Sequence, residues 1–237
     1  MRAPLGAIKA LLTRRASMTE FKTLYLVKQL ALLLLLMTMM PYSAAAPKPP
    51  VILVIGDSLS AGYGLAKGEG WVDLLKLRLQ EKQIDANVIN ASITGETSRG
   101  GLQRLPQLLQ THQPDLTIIE LGANDGLRGF SPDVTYNNLA EMIKSALEVN
   151  SRVLLAGVRL PVNYGKSYRQ AFTRTFTRLN EDFDIDFVPY FLLNVGENIE
   201  LMQSDGIHPS AEAQSILLNN VWPQIIAIIN EIKSLPG

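Results

Sequence analysis

The sequence contains no cysteine, and this absence removes several kinds of chemistry. A thiol nucleophile, a zinc site with cysteine ligands and a disulfide framework are all excluded. Export is not excluded, because an oxidising compartment permits disulfides without requiring them. An excess of one charge is also missing, since 22 basic side chains balance 22 acidic ones. This balance does not give the basic surface typical of nucleic-acid-binding proteins, so we expect no nucleic-acid partner.

The N-terminal stretch resembles a secretory signal. Lys22 and Lys28 precede a near-continuous apolar run over residues 30–40, which is too short to span a bilayer comfortably, and small residues follow it. We predict cleavage after Ala45, with an uncleaved anchor as the alternative, and Met1 or Met18 as the start codon. Residues 1–45 are then a prefix and signal peptide, and residues 46–237 form a single domain.

The predicted mature chain is acidic. Removing residues 1–45 takes away six basic residues and one acidic residue, which leaves 16 basic and 21 acidic side chains. An acidic protein should not adhere to anionic lipid through its net charge. With the signal peptide removed, we expect a periplasmic or secreted protein that keeps no stable membrane anchor, and we expect it to be a monomer.

Strand-like and helix-like stretches alternate along the mature chain. Unbroken apolar or short β-rich runs predict five strands, at residues 51–55, 87–91, 116–121, 152–158 and 185–190. Helical spacing of apolar residues predicts helices between them, at residues 71–82, 102–110, 134–149, 168–183 and 210–232. Segment 122–126 is predicted to be a loop. The alternation indicates an α/β fold, with a parallel sheet covered by helices on both faces.

Ser58 is the candidate nucleophile. It follows the first strand and Gly56, so it stands at the C-terminal edge of the sheet, where open α/β sheets bind their ligands. Only two histidines are available as the general base, His112 and His208. His112 is best explained as a solvated residue at a helix C-terminus. His208 follows Asp205 by three residues in a turn, a spacing that brings a carboxylate to Nδ1 and leaves Nε2 for Ser58.

Oxyanion donors are expected from the ends of other strands. Gly95 exposes its backbone N–H, and Asn124 carries an NH₂ donor, and each follows a predicted strand at the edge that holds Ser58. Together with the Ser58 N–H, these groups could surround a tetrahedral oxygen. For Asp57 and Asp125 two roles remain open, since each can be a turn residue or can support the site.

Four stretches of the sequence resemble the conserved blocks of the SGNH (GDSL) hydrolases and occur in the same order. They are residues 56–60 (Gly-Asp-Ser-Leu-Ser), Gly95, residues 122–125 (Gly-Ala-Asn-Asp) and residues 205–208 (Asp-Gly-Ile-His). Further stretches are similar to the periplasmic group of thioesterases, lysophospholipases and arylesterases within that family, namely residues 90–93, 120–122, 124–130 and 159–161.

The resemblance implies a fold, a triad and a reaction. The fold is a flavodoxin-like three-layer α/β/α sandwich with a five-stranded parallel sheet. The triad is Ser58, Asp205 and His208, and the oxyanion hole comprises the Ser58 and Gly95 N–H groups and the Asn124 side chain. The reaction is hydrolysis of carboxylic esters and thioesters through an acyl-enzyme on Ser58, and it requires no metal or organic cofactor.

The substrate is predicted from two loops that follow catalytic-edge strands. They offer apolar side chains for an acyl chain, namely Leu127, Phe130, Leu160, Val162 and Tyr164. We expect small-molecule substrates such as lysophospholipids, aryl esters and acyl thioesters. The alternatives are a carbohydrate O-acetyl esterase with the same triad, and a lipid- or carbohydrate-binding module with an inert triad. A nucleotide-binding site is disfavoured, because the glycines at positions 62 and 64 do not complete the dinucleotide fingerprint.

Overall fold

Five parallel strands form one sheet in the part of the chain that the structure describes. The computed structural model describes residues 22–33 and 48–234. The strands are β1 (Val51–Gly56), β2 (Asn87–Asn90), β3 (Leu116–Glu120), β4 (Arg152–Ala156) and β5 (Asp186–Val188). Their order across the sheet is β2-β1-β3-β4-β5, and every neighbouring pair is parallel. The predicted α/β fold with a five-stranded parallel sheet is confirmed.

Helices follow the strands in the alternating order that the sequence predicts. They are α1 (Ser58–Ala61), α2 (Trp71–Glu81), α3 (Ser98–His112), α4 (Ala123–Leu127), α5 (Pro132–Glu148), α6 (Lys166–Phe183) and α7 (Gln214–Ser234). Two short 3₁₀ turns lie at Val162–Tyr164 and Ile199–Leu201. Residues 22–33 form a separate helix. The predicted start codon, prefix and cleavage site after Ala45 lie outside the described residues.

The sheet separates two apolar cores, as the period of two along a strand requires. On β1, Ile52 and Val54 face a core formed with α2 and α7, whereas Leu53 and Ile55 face a core formed with α3, α5 and α6. All four side chains are fully buried. Both faces of β1 are therefore covered, which explains why its sequence is an unbroken apolar run.

Several predicted boundaries are wrong, and two of the errors have a clear physical cause. Residues 122–126, predicted as a loop, contain most of α4, which is only five residues long and shows no helical period. The predicted helix 102–110 is instead α3, which begins at Ser98, where the Thr97 side chain accepts a hydrogen bond from Gly100 N–H. Pro106 lies inside α3, because burial of Leu105 and Leu109 holds the helix together around the missing N–H.

The topology fixes where a ligand can bind. In the order 2-1-3-4-5, the chain turns in opposite directions after β1 and after β3, which opens a crevice at their C-terminal ends. Ser58 follows β1 and Asn124 follows β3, so both stand at this crevice. No helix within the described ranges is long and apolar enough to cross a membrane.

Candidate active site

The three residues predicted as a catalytic triad meet in one hydrogen-bonded chain. His208 Nε2 lies 2.9 Å from Ser58 Oγ, and His208 Nδ1 lies 2.7 Å from Asp205 Oδ2. An ionised carboxylate only accepts hydrogen bonds, so Nδ1 carries the proton and Nε2 is free to accept the Ser58 hydroxyl proton. The arrangement can turn a serine hydroxyl into a nucleophile.

The turn that carries Ser58 is built by its neighbours. Asp57 is the N-cap of α1, and its Oδ1 accepts a hydrogen bond of 3.0 Å from Leu59 N–H. Gly56 is required by close packing, because a Cβ there would lie 2.7 Å from Ser60 Oγ and 2.9 Å from a Glu120 oxygen. Ser58 thus becomes the first residue of a short helix, with its hydroxyl directed to His208 rather than into the core.

Asp205 and His208 are held together by their own turn. Asp205 Oδ1 accepts hydrogen bonds from the backbone N–H groups of Ile207 and His208, at 2.9 and 3.0 Å. The hydrogen bonds from the backbone and the side chain of His208, with that from Ile207, lower the pKa of Asp205 to about 2. Asp205 therefore remains ionised at neutral pH and can orient the imidazole.

Two residues that the sequence did not reveal hold His208 in place. The ring of Tyr63 lies against the imidazole, with the centroids 4.4 Å apart. Gln203 Nε2 donates to the carbonyl oxygens of Tyr63 and Pro209, at 2.8 and 3.0 Å, and Gln203 N–H donates to His208 O at 2.7 Å. Gln203 therefore joins the segment after α1 to the segment that carries His208. Neither residue is part of a sequence motif that would have identified it.

The predicted oxyanion donors surround the same edge. The backbone N–H groups of Ser58 and Gly95 have no hydrogen-bond acceptor among the residues that the structure describes. Gly95 has φ +78°, a left-handed conformation that a side chain would strain, and the Arg128 guanidinium donates to its carbonyl at 3.0 Å. Both N–H groups are thus free to bind an incoming oxygen.

Asn124 is held near these donors by two acceptors. Its Nδ2 donates to Asp57 Oδ2 at 3.1 Å and to Glu96 O at 3.0 Å. A substrate oxygen that binds Asn124 must share or replace one of these acceptors. Burial raises the pKa of Asp57 to about 6, so this acceptor is ionised at neutral pH and accepts a proton in mildly acidic solution.

Asp125 is fully buried and connects two elements of the site through hydrogen bonds. It accepts hydrogen bonds from Ser98 N–H, at 2.8 Å, and from the Ser98 hydroxyl, and Thr135 Oγ1 lies 3.4 Å from it. Asn138 Nδ2 donates to the Ser98 hydroxyl at 2.9 Å. These contacts join the start of α3 to α4, and thereby join the loop of Gly95 to the helix of Asn124. Of the two roles considered from the sequence, site support describes Asp125.

Glu120 is a buried acid that the sequence-based list of candidates did not include. It ends β3 opposite Gly56 and is fully buried. Its Oε2 accepts Ser60 Oγ–H at 2.7 Å and Asp57 N–H at 3.4 Å, whereas its Oε1 has no partner in the described part of the chain. Burial, with a further contribution from Asp57, raises the pKa of Glu120 well above its usual value. The residues on both sides of Ser58 are thus tied to one carboxyl group.

A cavity of about 600 Å³ opens at Ser58. Three of the five predicted substrate-binding residues line it, namely Leu127, Leu160 and Val162. Phe130 and Tyr164 do not. Tyr164 instead donates its hydroxyl to Leu127 O at 2.9 Å, and the Phe130 carbonyl accepts from Tyr168. Further apolar lining comes from Leu192 and Met202, in a segment that had no predicted role, and from Ile207, which lies between Asp205 and His208.

No metal-binding cluster of three His, Cys, Asp or Glu side chains occurs within residues 22–33 and 48–234. His112, the second histidine, is the last residue of α3 and does not line the cavity at Ser58.

Comparison with known proteins gives consistent matches over this domain. Residues 54–216 match the sequence model of the GDSL-like lipase/acylhydrolase family. The chain is 49% identical over 174 residues to the esterase TesA of Pseudomonas aeruginosa, which covers 73% of this chain and 87% of that protein. It is 40% identical over 196 residues to the thioesterase 1/protease 1/lysophospholipase L1 of Escherichia coli K12, which covers 83% of this chain and 92% of that protein.

The fold also matches a solved structure of an inhibited esterase. The psychrotrophic esterase EstA of Pseudoalteromonas sp., inhibited by monoethylphosphonate, superimposes with a TM-score of 0.73 at 41% sequence identity. The match covers 76% of this chain and 98% of that structure.

Proposed function

From the premise that the chain belongs to the GDSL-like lipase/acylhydrolase family and is a serine ester hydrolase, we propose that Ser58 is its nucleophile. Membership of the family confirms the resemblance drawn from the four sequence blocks. The observation that supports the assignment of Ser58 is the series of hydrogen bonds from Ser58 Oγ through His208 to Asp205. Ser58 and His208 also line a cavity with many apolar side chains.

The proposed reaction transfers an acyl group to water in two steps. His208 Nε2 takes the Ser58 proton while Oγ attacks the carbonyl carbon, and the oxyanion receives hydrogen bonds from Ser58 N–H, Gly95 N–H and Asn124. His208 then gives its proton to the leaving alcohol or thiol, and the acyl-enzyme remains. Water attacks the acyl-enzyme with His208 again as the base, and His208 then gives that proton to Ser58 Oγ as the carboxylic acid leaves. Asp205, ionised throughout, stabilises the imidazolium that forms in each step.

The proposed substrates are acyl esters and thioesters with an acyl chain of medium to long length. Relatives of the chain are named as a thioesterase, a lysophospholipase and an arylesterase. The lining of the cavity supports the same class here, because Leu127, Leu160 and Val162 together with Leu192 and Ile207 present an apolar surface beside Ser58. Export would keep the enzyme from cytosolic acyl-CoA, so lysophospholipids are the proposed substrate in the periplasm or outside the cell. We further propose that residues 46–237 act as a monomeric single domain after cleavage behind Ala45.

Hydrolysis of p-nitrophenyl esters from acetyl to palmitoyl tests the proposal. Ser58→Ala should lose turnover by ~10⁴- to 10⁶-fold, as expected for the nucleophile of a triad. Ser145→Ala is the matched control, because Ser145 is a half-buried serine on α5 that does not line the cavity at Ser58, and it should retain wild-type activity. A preference for longer chains supports a lipid-directed esterase, whereas a steep preference for acetyl esters would favour a carbohydrate O-acetyl esterase. Wild-type activity in Ser58→Ala would refute the mechanism.

A further inference from the structure

A second cavity, of about 680 Å³, adjoins the cavity at Ser58. Four of the residues that line it are basic, namely Arg159, Lys166, Arg169 and Arg174, and we call this cavity the basic groove. Arg159, Leu160 and Arg169 line both cavities, so the two lie side by side and two of the arginines face the cavity at Ser58 as well. A substrate bound with its ester at Ser58 can therefore extend to these arginines.

The basic side chains of the groove have no carboxylate partner among the described residues. None of the four side chains forms an ion pair with a described residue, and no carboxylate lines the groove. Asp57 and Glu197 line the adjoining catalytic cavity only. These four make up a quarter of the 16 basic residues in residues 46–237, a segment that also carries 21 acidic residues. A cleft lined by one sign of charge attracts a ligand of the other sign and concentrates it there.

Two of the arginines contact neighbouring residues in ways that leave their terminal N–H groups available. Arg169 is half-buried, and its Nε donates to Leu160 O at 2.9 Å. The Arg159 guanidinium lies over the ring of Tyr190, 4.4 Å from the centroid. The terminal NH₂ groups of both have no acceptor within residues 48–234. A guanidinium oriented in this way offers paired donors that match the oxygens of a phosphate group.

We propose that the basic groove binds the phosphate of a substrate whose leaving group carries one, which makes the enzyme selective for acyl esters of phosphate-bearing alcohols or thiols. The inference rests on the proposed function, since it concerns the leaving group of the ester that Ser58 cleaves. Two sources share this chemistry, the glycerophosphate of a lysophospholipid and the phosphates of an acyl-CoA. Lysine or arginine on a flat surface would attract either weakly, whereas Arg159 and Arg169 line the cavity at Ser58 as well as the groove and can hold the phosphate while the ester lies at Ser58.

Pairs of substrates with the same acyl chain test the inference. One pair is 1-octanoylglycerol and 1-octanoylglycerol 3-phosphate, and the other is octanoyl N-acetylcysteamine and octanoyl-CoA, all below their micellar concentrations. The measured quantity is the ratio of kcat/KM for the phosphate-bearing substrate to that for its neutral partner. In the wild-type enzyme this ratio should exceed one for at least one pair and fall as salt is added, because salt screens an exposed charge. The pair that shows the higher ratio identifies the source of the phosphate.

Variants of the groove make the test specific. Arg174→Gln and Arg169→Gln should each lower the ratio, by about tenfold for the half-buried Arg169 and by less for the exposed Arg174. Arg174 is exposed, so its replacement does not endanger folding. Arg78→Gln is the control, because Arg78 contacts Asn219 and Trp222 and lines neither cavity. A wild-type ratio of one or below in both pairs, or equal ratios in all variants, overturns the inference while the hydrolysis of neutral esters still supports the proposed function. Loss of all ester hydrolysis would instead overturn the proposed function.

Discussion

Replacement of Glu120 by glutamine should make the protein more stable than the wild type, by an amount that grows as the pH rises. Glu120 is fully buried, and burial raises its pKa well above the ordinary 4.5. A protonated carboxyl and a carboxamide have nearly the same shape. The carboxamide oxygen of the variant can accept from Ser60 Oγ–H and Asp57 N–H, as Oε2 does in the wild type. Glu120→Gln therefore removes a titration and keeps the hydrogen bonds.

The direction of the effect follows from the raised pKa. Between 4.5 and the pKa in the folded state, the folded protein holds a proton that the unfolded chain releases. The free energy of unfolding of the wild type then falls by ~1.4 kcal/mol per pH unit from this group. Glutamine does not titrate, so the variant lacks this loss. The difference in stability between variant and wild type should grow with that slope above pH 4.5 and level off at the pKa of folded Glu120.

Glu120→Leu provides the contrasting variant, because leucine accepts no hydrogen bond. It leaves the Ser60 hydroxyl and the Asp57 N–H without an acceptor in the core, at a cost of about 1–3 kcal/mol for each group. The turn that presents Ser58 loses its support, so kcat on p-nitrophenyl butyrate should fall in Glu120→Leu and be retained in Glu120→Gln. Retained activity with glutamine identifies Glu120 as a positioning residue.

Urea unfolding at a series of pH values between about 5 and 8 measures the difference between the wild type and Glu120→Gln. A difference that widens with pH supports a buried neutral acid. A glutamine variant that is less stable than the wild type by the same amount at every pH would refute the reasoning, since it would mean that an ionised Glu120 stabilises the fold.

Three further variants test other parts of the site. Asn124→Ala removes one oxyanion donor and should lower kcat by about 10²- to 10³-fold with little change in KM, and an unchanged kcat would exclude Asn124 from the oxyanion hole. Gln203→Leu frees the Tyr63 and Pro209 carbonyls and should lower kcat by about tenfold through a displaced His208, measured with butyrate and octanoate esters alike. Val162 is 78% exposed yet lines the cavity, so Val162→Ala should leave the melting temperature unchanged and reduce kcat/KM for octanoyl more than for acetyl esters. A loss that is equal for both esters would place Val162 outside the acyl site.

The contact of Ser58, His208 and Asp205 and the fold class were predictable because their signals lie along the chain. Asp205 and His208 are three residues apart, the chain has only one other histidine, and Ser58 directly follows an apolar strand. The sequence therefore left few ways to assemble a serine hydrolase. The sheet was predictable for a similar reason, since burial on both faces of β1 demands an unbroken apolar run.

The supports of the site were not predictable, because each depends on residues that are distant in sequence. Glu120 ends a strand that is otherwise mostly apolar, and only the pairing of β1 with β3 places its carboxyl against Ser60 and Asp57. Tyr63 and Gln203 are 140 residues apart and meet at His208. The acyl-site prediction was incomplete for the same reason, because Leu192 and Met202 line the cavity from a segment without strand or helix periodicity.

The way in which His208 is held implies that the enzyme can be switched off without being unfolded. Ser58 follows β1 closely, whereas the chain from residue 189 to residue 213 has no strand and only one short 3₁₀ turn, and a single bridge joins Met202 to Pro209. Such a segment opens at a lower free energy than the sheet does, and its amide protons should exchange faster than those of β1. Loss of activity in denaturant should therefore precede loss of the sheet, because opening this segment withdraws the base and its carboxylate together and leaves the serine in place.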